Sequence, residues 1–302
     1  MKILKILFML LLYKPIAMNS KLSNILLGIL ITCVFASKAK AQPTKQNLNI
    51  SFLLDLSDRI DPKKNPGIYQ RDLQYIKSVQ QAFINHVKGK KMLLLKDQMQ
   101  VFFNPLPNIS NINQLSEQLK IDFTPKTSKQ AFLNIDKVYA NNPAKIYQSA
   151  IKDGNYVGSD IWRFFKSNVQ QYCIKPQHRN ILVILTDGYI YHKASKIEVA
   201  GKSSYITPQY IQLKKLANAN FAALMQKNKL GFISFPYNLK ELEIMVLGIN
   251  PSVKNPYEED VIKQYWTDWF KAMNVKKFEL RTTDLPSNLA PVIIDFIQGS
   301  DK

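Results

Sequence analysis

Cysteine is almost absent: Cys33 and Cys173 are the two in 302 residues. Cys33 lies in an N-terminal apolar run that reads as a removable leader, which leaves Cys173 alone. No intrachain disulfide can then form, and the fold must rest on its core. Cys173 ends an apolar helical stretch and reads as a buried structural thiol. Histidine is equally sparse. His86, His178 and His192 show no metal-like spacing, so zinc hydrolase chemistry is unsupported. Acids are in deficit, 22 against 41 lysines and arginines, for a formal charge of +19. Residues 1–41 carry six of the lysines and no acid, so without them the balance is still +13. Such a surface suits acidic envelope polymers or anionic lipid head groups. Nucleic acid is disfavoured as a partner, because the lysines are scattered and no nucleic-acid motif accompanies them. Internal repeats and low-complexity segments are also missing. No side chain stands out as a nucleophile or proton shuttle, so the chain reads as a binding protein rather than an enzyme.

The longest apolar run, Ile25 to Ala36, is too short and too closely followed by Lys38 and Lys40 to span a bilayer comfortably. With Lys21 before it and Ala39-Lys40-Ala41 after it, it has the three parts of a signal peptide. Residues 1–41 are therefore expected to be a leader cleaved after Ala41, with Met18 as the true start. A double-hydrophobic anchor is the alternative. Leu30-Ile31-Thr32-Cys33 is a poor lipidation site because threonine precedes the cysteine. The expected location is the periplasm or cell surface, with no transmembrane span in the mature chain.

After a polar lead-in over 42–48, residues 49–298 read as one α/β domain. The expected architecture is a doubly wound, mostly parallel central sheet with helices on both faces. Expected strands cover Asn49–Leu54, Asp97–Phe103, Ile181–Leu185, Leu242–Leu247 and Lys277–Arg281. Apolar spacing predicts helices over Tyr69–Val87, Ile112–Leu119, Ile161–Tyr172, Gln209–Lys227, Tyr257–Met273 and Leu289–Ile297. Phe123–Tyr147 reads as helical turns, and Lys193–Tyr205 as a hairpin or lid. Trp266 and Trp269, three residues apart on one helix, are expected in the core.

Two strands run directly into acids: Phe52-Leu53-Leu54-Asp55-Leu56-Ser57-Asp58-Arg59 and Ile184-Leu185-Thr186-Asp187-Gly188. All-apolar strands of this kind suit the middle of a parallel sheet, whose ligands gather beyond the strands' carboxyl ends. Should the two be neighbours, Asp55 and Asp187 face each other and need a cation or an arginine to offset them. A third loop, Gly158-Ser159-Asp160, precedes a helix.

The order and spacing of these three loops resemble the von Willebrand factor type A (VWA) domain and its metal-ion-dependent adhesion site. In that family an Asp-x-Ser-x-Ser turn follows the first strand, a later loop supplies a threonine, and an aspartate follows a strand ending in Thr-Asp-Gly. The resemblance implies a metal site of Asp55, Ser57, Ser159 and Asp187, with Ser159 where the threonine is expected. It also implies Mg2+, or Mn2+ or Ca2+, and a protein or peptide partner that contributes an outside carboxylate. Hydroxyls and carboxylates are independently the hard ligands such cations prefer. Arg59 departs from the pattern, standing where the family has a serine ligand. Its guanidinium either pairs with Asp55 or Asp187 in place of the cation, or turns out to Asp58 or Asp61. The first case describes a metal-independent scaffold or assembly factor of the cell envelope. Tyr189, Tyr191 and Tyr205 either line a recognition surface or stabilise the hairpin.

Overall fold

The computed structural model describes residues 46–299. The leader and its cleavage point lie outside the described residues. The described residues form one compact unit.

Strand β1 (Asn47–Leu54) begins two residues earlier than its apolar run, so the polar lead-in is shorter than expected. It is followed by α1 (Ile68–Lys88), β2 (Gln98–Phe102), α2 (Ser110–Gln118), β3 (Ile121–Asp122) and α3 (Lys129–Asp153). Then come α4 (Ile161–Ser167), α5 (Val169–Cys173), β4 (His178–Leu185) and the short β5 (Glu198–Val199) and β6 (Lys202–Ser203). The remainder is α6 (Pro208–Leu213), α7 (Phe221–Lys227), β7 (Gly231–Phe232), β8 (Leu242–Ile249), α8 (Glu258–Ala272), β9 (Lys277–Thr282) and α9 (Pro286–Gln298). The main sheet has the order β3-β2-β1-β4-β8-β9. Every pairing in it is parallel except that of β3 with β2.

Period-two alternation splits the strand residues between two cores. Ile181, Val183 and Leu185 of β4 join a cluster with Tyr75, Val79 and Phe83 of α1 and Ile293 of α9. Leu182 and Ile184 face the opposite cluster, with Phe165 of α4 and Trp266 and Trp269 of α8. Each large side chain so buried contributes about 1.5–3 kcal/mol. Both tryptophans are core residues, as their spacing suggested, and their indoles also donate to Gly188 O (2.9 Å) and Ile233 O (3.1 Å). Cys173 is buried and unpaired, and burial pushes its thiol up to about 12.

Three expected elements differ from the sequence reading. The segment read as helical turns is the continuous α3, which runs through Pro143. The helix expected over Ile161–Tyr172 breaks at Asn168, whose backbone leaves helical geometry between α4 and α5. The helix expected over Gln209–Lys227 is also two pieces. Lys215 takes a left-handed conformation, and the Asn218 side chain accepts the N–H of Asn220, a turn that competes with the helix. The insertion is a hairpin, with β5 and β6 antiparallel and β7 added alongside β6.

Asp97, just before β2, joins the amino ends of the strands. Its carboxylate accepts the Leu48 N–H of β1 (2.8 Å) and the Lys90 ammonium (2.8 Å), with His86 Nε2 at 3.3 Å. Burial opposes its charge, but these donors win and hold it below the usual carboxylate range. A depressed folded-state value contributes stability that is present above the unfolded value of about 4 and lost as pH falls through the folded one. Asp97→Asn is therefore expected to cost about 1–3 kcal/mol at neutral pH. The cost should shrink below about pH 4, as read by denaturant unfolding at a series of pH values.

Candidate functional site

The register of the sheet decides what meets at its carboxyl edge. Leu54 pairs with Leu185, so Asp55 and Thr186 leave adjacent strands side by side. The Asp55 N–H extends the ladder to Leu185 O (3.0 Å). Its buried carboxylate accepts the Ser57 N–H on Oδ1 (2.9 Å) and the Thr186 hydroxyl on Oδ2 (2.8 Å). Thr186 Oγ1 in turn accepts the Gly188 N–H (3.2 Å). Asp187 accepts the Tyr189 N–H on Oδ1 (3.1 Å), and it lines a hollow with Arg59, Tyr189, Asn250 and Ser252. Poor solvation in that hollow, then the charge of Asp55, push its carboxyl up to about 7, with Arg59 opposing.

Arg59 follows neither of the two courses its position suggested. It lies in the 3-10 turn Asp58–Ile60, buried, with Nη1 and Nη2 forked onto Asp72 of α1 (2.8 and 3.2 Å). Nη1 also donates to the Asp55 carbonyl (3.2 Å), not to its carboxylate. The expected outward partner, Asp58, pairs with Lys64 (2.7 Å), and Asp61 accepts the Lys63 N–H of its own turn (2.9 Å). Tyr147 of α3 donates its hydroxyl to Asp72 Oδ2 (2.9 Å). Burial disfavours the guanidinium's charge, yet Asp72 raises its pKa further. Gly248, at φ +94°, gives this group room. A Cβ there would meet Thr186 O at 3.2 Å and Arg59 Nη2 at 3.4 Å.

The two serines differ in burial but share a free hydroxyl. Ser57 starts the 3-10 turn and its side chain caps nothing there. Ser159 is buried, and its Oγ has no hydrogen-bond partner among the described residues. Its loop is fixed by reciprocal backbone bonds with Tyr191 (2.9 and 3.1 Å) and by the next residue, Asp160, donating its N–H to Asn104 O beyond β2 (2.8 Å). Gly158, at φ +91°, makes that approach feasible, since a Cβ there would lie 2.3 Å from Tyr191 O. The structure thus joins Asp55, Ser57 and Thr186 directly, sets Asp187 beside them, and ties the Ser159 loop to the strand exit four residues beyond Asp187. No hydrogen bond links Ser159 to either carboxylate among the described residues. The set holds two carboxylates only; among the described residues no three His, Cys, Asp or Glu side chains gather as a cation site.

Asp160, His192 and Ser195 form a second polar cluster next to Ser159. Asp160 Oδ2 accepts the Ser195 hydroxyl and lies 3.3 Å from His192 Nδ1 and 3.2 Å from Arg163 Nε. A nucleophilic serine would give its proton to the histidine, with the acid on the opposite ring nitrogen. Here serine and acid crowd the same nitrogen, and Ser195 is buried. The cluster anchors the α4 start, where Asp160 Oδ1 also caps the Arg163 N–H (3.1 Å). Of the tyrosines, Tyr189 donates to Glu258 (2.6 Å) at the hollow, whereas Tyr191 and Tyr205 pack edge to face by the hairpin.

Thr186, Asp72 and Tyr147 are the participants the sequence reading left out. Asp72 had one signal: an acid in the inward register of α1, four residues before Ile76.

No protein-family model matches the chain, and no curated protein matches it. Among solved structures it is similar to proximal thread matrix protein 1 from the mussel byssus, at 13% identity and a TM-score of 0.34. That alignment covers 84% of this chain and 46% of the mussel protein. It is also similar to the pilus adhesin SpaC from Lactobacillus rhamnosus GG, at 9% identity and a TM-score of 0.41, covering 85% of this chain and 31% of the adhesin. The chain spans less than half the length of either protein, and TM-scores this low carry no argument about function.

Two outcomes test this electrostatic arrangement. Arg59→Met alone is expected to cost about 3–5 kcal/mol by stranding Asp72, while Arg59→Met with Asp72→Leu recovers most of it, read by denaturant unfolding. Asp187 has the opposite sign from Asp97. Its raised folded-state value means stability is lost as pH rises from about 4 towards 7, where the unfolded carboxyl ionises and the folded one resists. In chelator, Asp187→Asn is expected to raise the melting temperature at pH 8 and leave it nearly unchanged at pH 4.

Proposed function

We propose that this chain is an exported, VWA-like binding protein that grips a protein or peptide partner at the carboxyl edge of its sheet. Asp55, Ser57, Ser159 and Asp187 would hold a divalent cation, Mg2+ in the first instance. The observation that carries this reading is the Asp187 carboxyl, which accepts one backbone N–H and meets no side-chain donor or cation among the described residues. It stands beside Asp55 while the nearest guanidinium is committed to Asp72. The donor set fits a hard cation: two carboxylates, and two hydroxyls whose oxygens have no competing hydrogen bond among the described residues. The chemistry the ion supplies when bound is charge neutralisation plus open coordination positions for an outside carboxylate. Of this chain's own residues, Thr186 and the Ser57 N–H orient Asp55, and the Tyr189 N–H orients Asp187. The Asp160–His192–Ser195 cluster lacks the geometry of a relay, which favours a binding protein over an enzyme.

The second reading is a metal-independent envelope scaffold. Arg59 favours it, because its charge reaches Asp187 even without a hydrogen bond. Calorimetric titration of residues 42–302 with MgCl2 or MnCl2 separates the two. The cation reading expects saturable heat and a raised melting temperature, both lost in Asp187→Ala. No heat and no thermal shift in the wild type would leave the scaffold reading in its place.

A further inference from the structure

The opposite edge of the sheet carries a surface that the cation site does not use. Between α1 and β2 the sequence reads Lys88-Gly89-Lys90-Lys91-Met92-Leu93-Leu94-Leu95-Lys96. Its centre is the 3-10 turn Met92–Leu94, none of whose residues is buried. Leu93 is 77% exposed, and Leu133 at the start of α3 is 64% exposed. Leu95 alone turns inward. Behind the turn lies a groove of about 320 Å3 lined by Val87, Met92, Leu95, Phe123, Phe132 and Leu133. Four apolar side chains left in water around one groove have a free-energy reason to find a cover.

The charges around them indicate what the cover is. Lys88, Lys91 and Lys96 are exposed and make no salt bridge among the described residues. Lys90 is bound to Asp97, so that acid is already neutralised and buried. Asp122, an exposed acid on β3, already accepts from Gln98. An apolar tip inside a lysine collar matches the two layers of an anionic bilayer surface, hydrocarbon and charged head groups. The chain's own path agrees. Gln46 enters the described structure at this edge, its carbonyl bonded to His86 (2.9 Å), with Lys90 on the neighbouring Asn47 (2.6 Å).

We infer that the amino edge of the sheet docks on an anionic lipid bilayer, with Met92, Leu93 and Leu94 in the interfacial layer and Lys88, Lys91 and Lys96 on the head groups. The inference is independent of the cation site, which lies at the other end of the strands.

The test uses residues 42–302, the unit whose two cores close within it, in chelator so that the carboxyl-edge site plays no part. Sedimentation is measured with phosphatidylglycerol–phosphatidylcholine vesicles and with phosphatidylcholine vesicles. Binding to the anionic vesicles alone is expected, weakening as salt rises. Leu93→Ser with Leu94→Ser, and separately Lys91→Glu with Lys96→Glu, should each lower partitioning about tenfold or more. All four positions are exposed, so an unchanged melting temperature verifies the fold. Absence of binding to anionic vesicles overturns the inference, as does binding that both double variants retain. Sedimentation equilibrium without lipid covers the remaining occupant: a self-associated species dissolved by Leu93→Ser with Leu94→Ser would make the patch an interface between copies, and the bilayer reading would fall.

Discussion

Two parallel strands in register, each followed by an aspartate, impose the constraint that the carboxyl edge is built around. With Leu54 opposite Leu185, the acids after β1 and β4 cannot be moved apart without shifting a register fixed by two buried faces. The surroundings divide the resulting repulsion unequally. Asp55 receives an N–H on one oxygen and a hydroxyl on the other. Asp187 receives one N–H and keeps the remainder as a reluctance to ionise.

Arg59 appears at first to be the answer to that repulsion, yet its fork serves Asp72. A buried ion pair with a tyrosine hydroxyl added is rarely more stable than an apolar packing of the same volume. Its consequence here is positional. The pair and Tyr147 bind the turn after β1 to α1 and α3, so the segment carrying Ser57 is held at both the strand and the helix layer. Gly248 on the next strand but one leaves space for the guanidinium, which couples the edge of β8 to the same arrangement. The unpartnered Arg59 Nε is the residue of this compromise: both Nη nitrogens find acceptors, and Nε has none among the described residues.

Much of the fold was readable because burial on both faces writes continuous apolar runs, and the three eight-residue parallel strands β1, β4 and β8 contain such runs. What failed was local. The breaks at Asn168 and Lys215 interrupt apolar spacing that continues across them, so periodicity alone joins the pieces. The segment Phe123–Tyr147 read only as helical turns, but packing against α1 and α2 keeps α3 continuous through Pro143. At the site, Asp55, Ser57 and Asp187 were legible because strand ends point to ligands in any open parallel sheet. Arg59's partner was not, since Asp72 is thirteen residues on and its inward register matters only once the helix is docked.

A parallel sheet also separates chemistry by strand direction, and here the two ends carry different groups. Amino ends gather Asn47, Asp97 and the lysine-rich turn; carboxyl ends gather Asp55, Thr186 and Asp187. An eight-residue strand at about 3.3 Å per residue sets the two edges about 25 Å apart. An antiparallel sheet would have interleaved these groups, putting lysines beside the carboxylates and cancelling both surfaces. With β1 and β4 parallel, a body resting on its apolar amino edge necessarily presents the acidic hollow away from the surface it rests on. The direction of two central strands therefore sets the lysine-rich turn and the acidic hollow at opposite ends of the sheet.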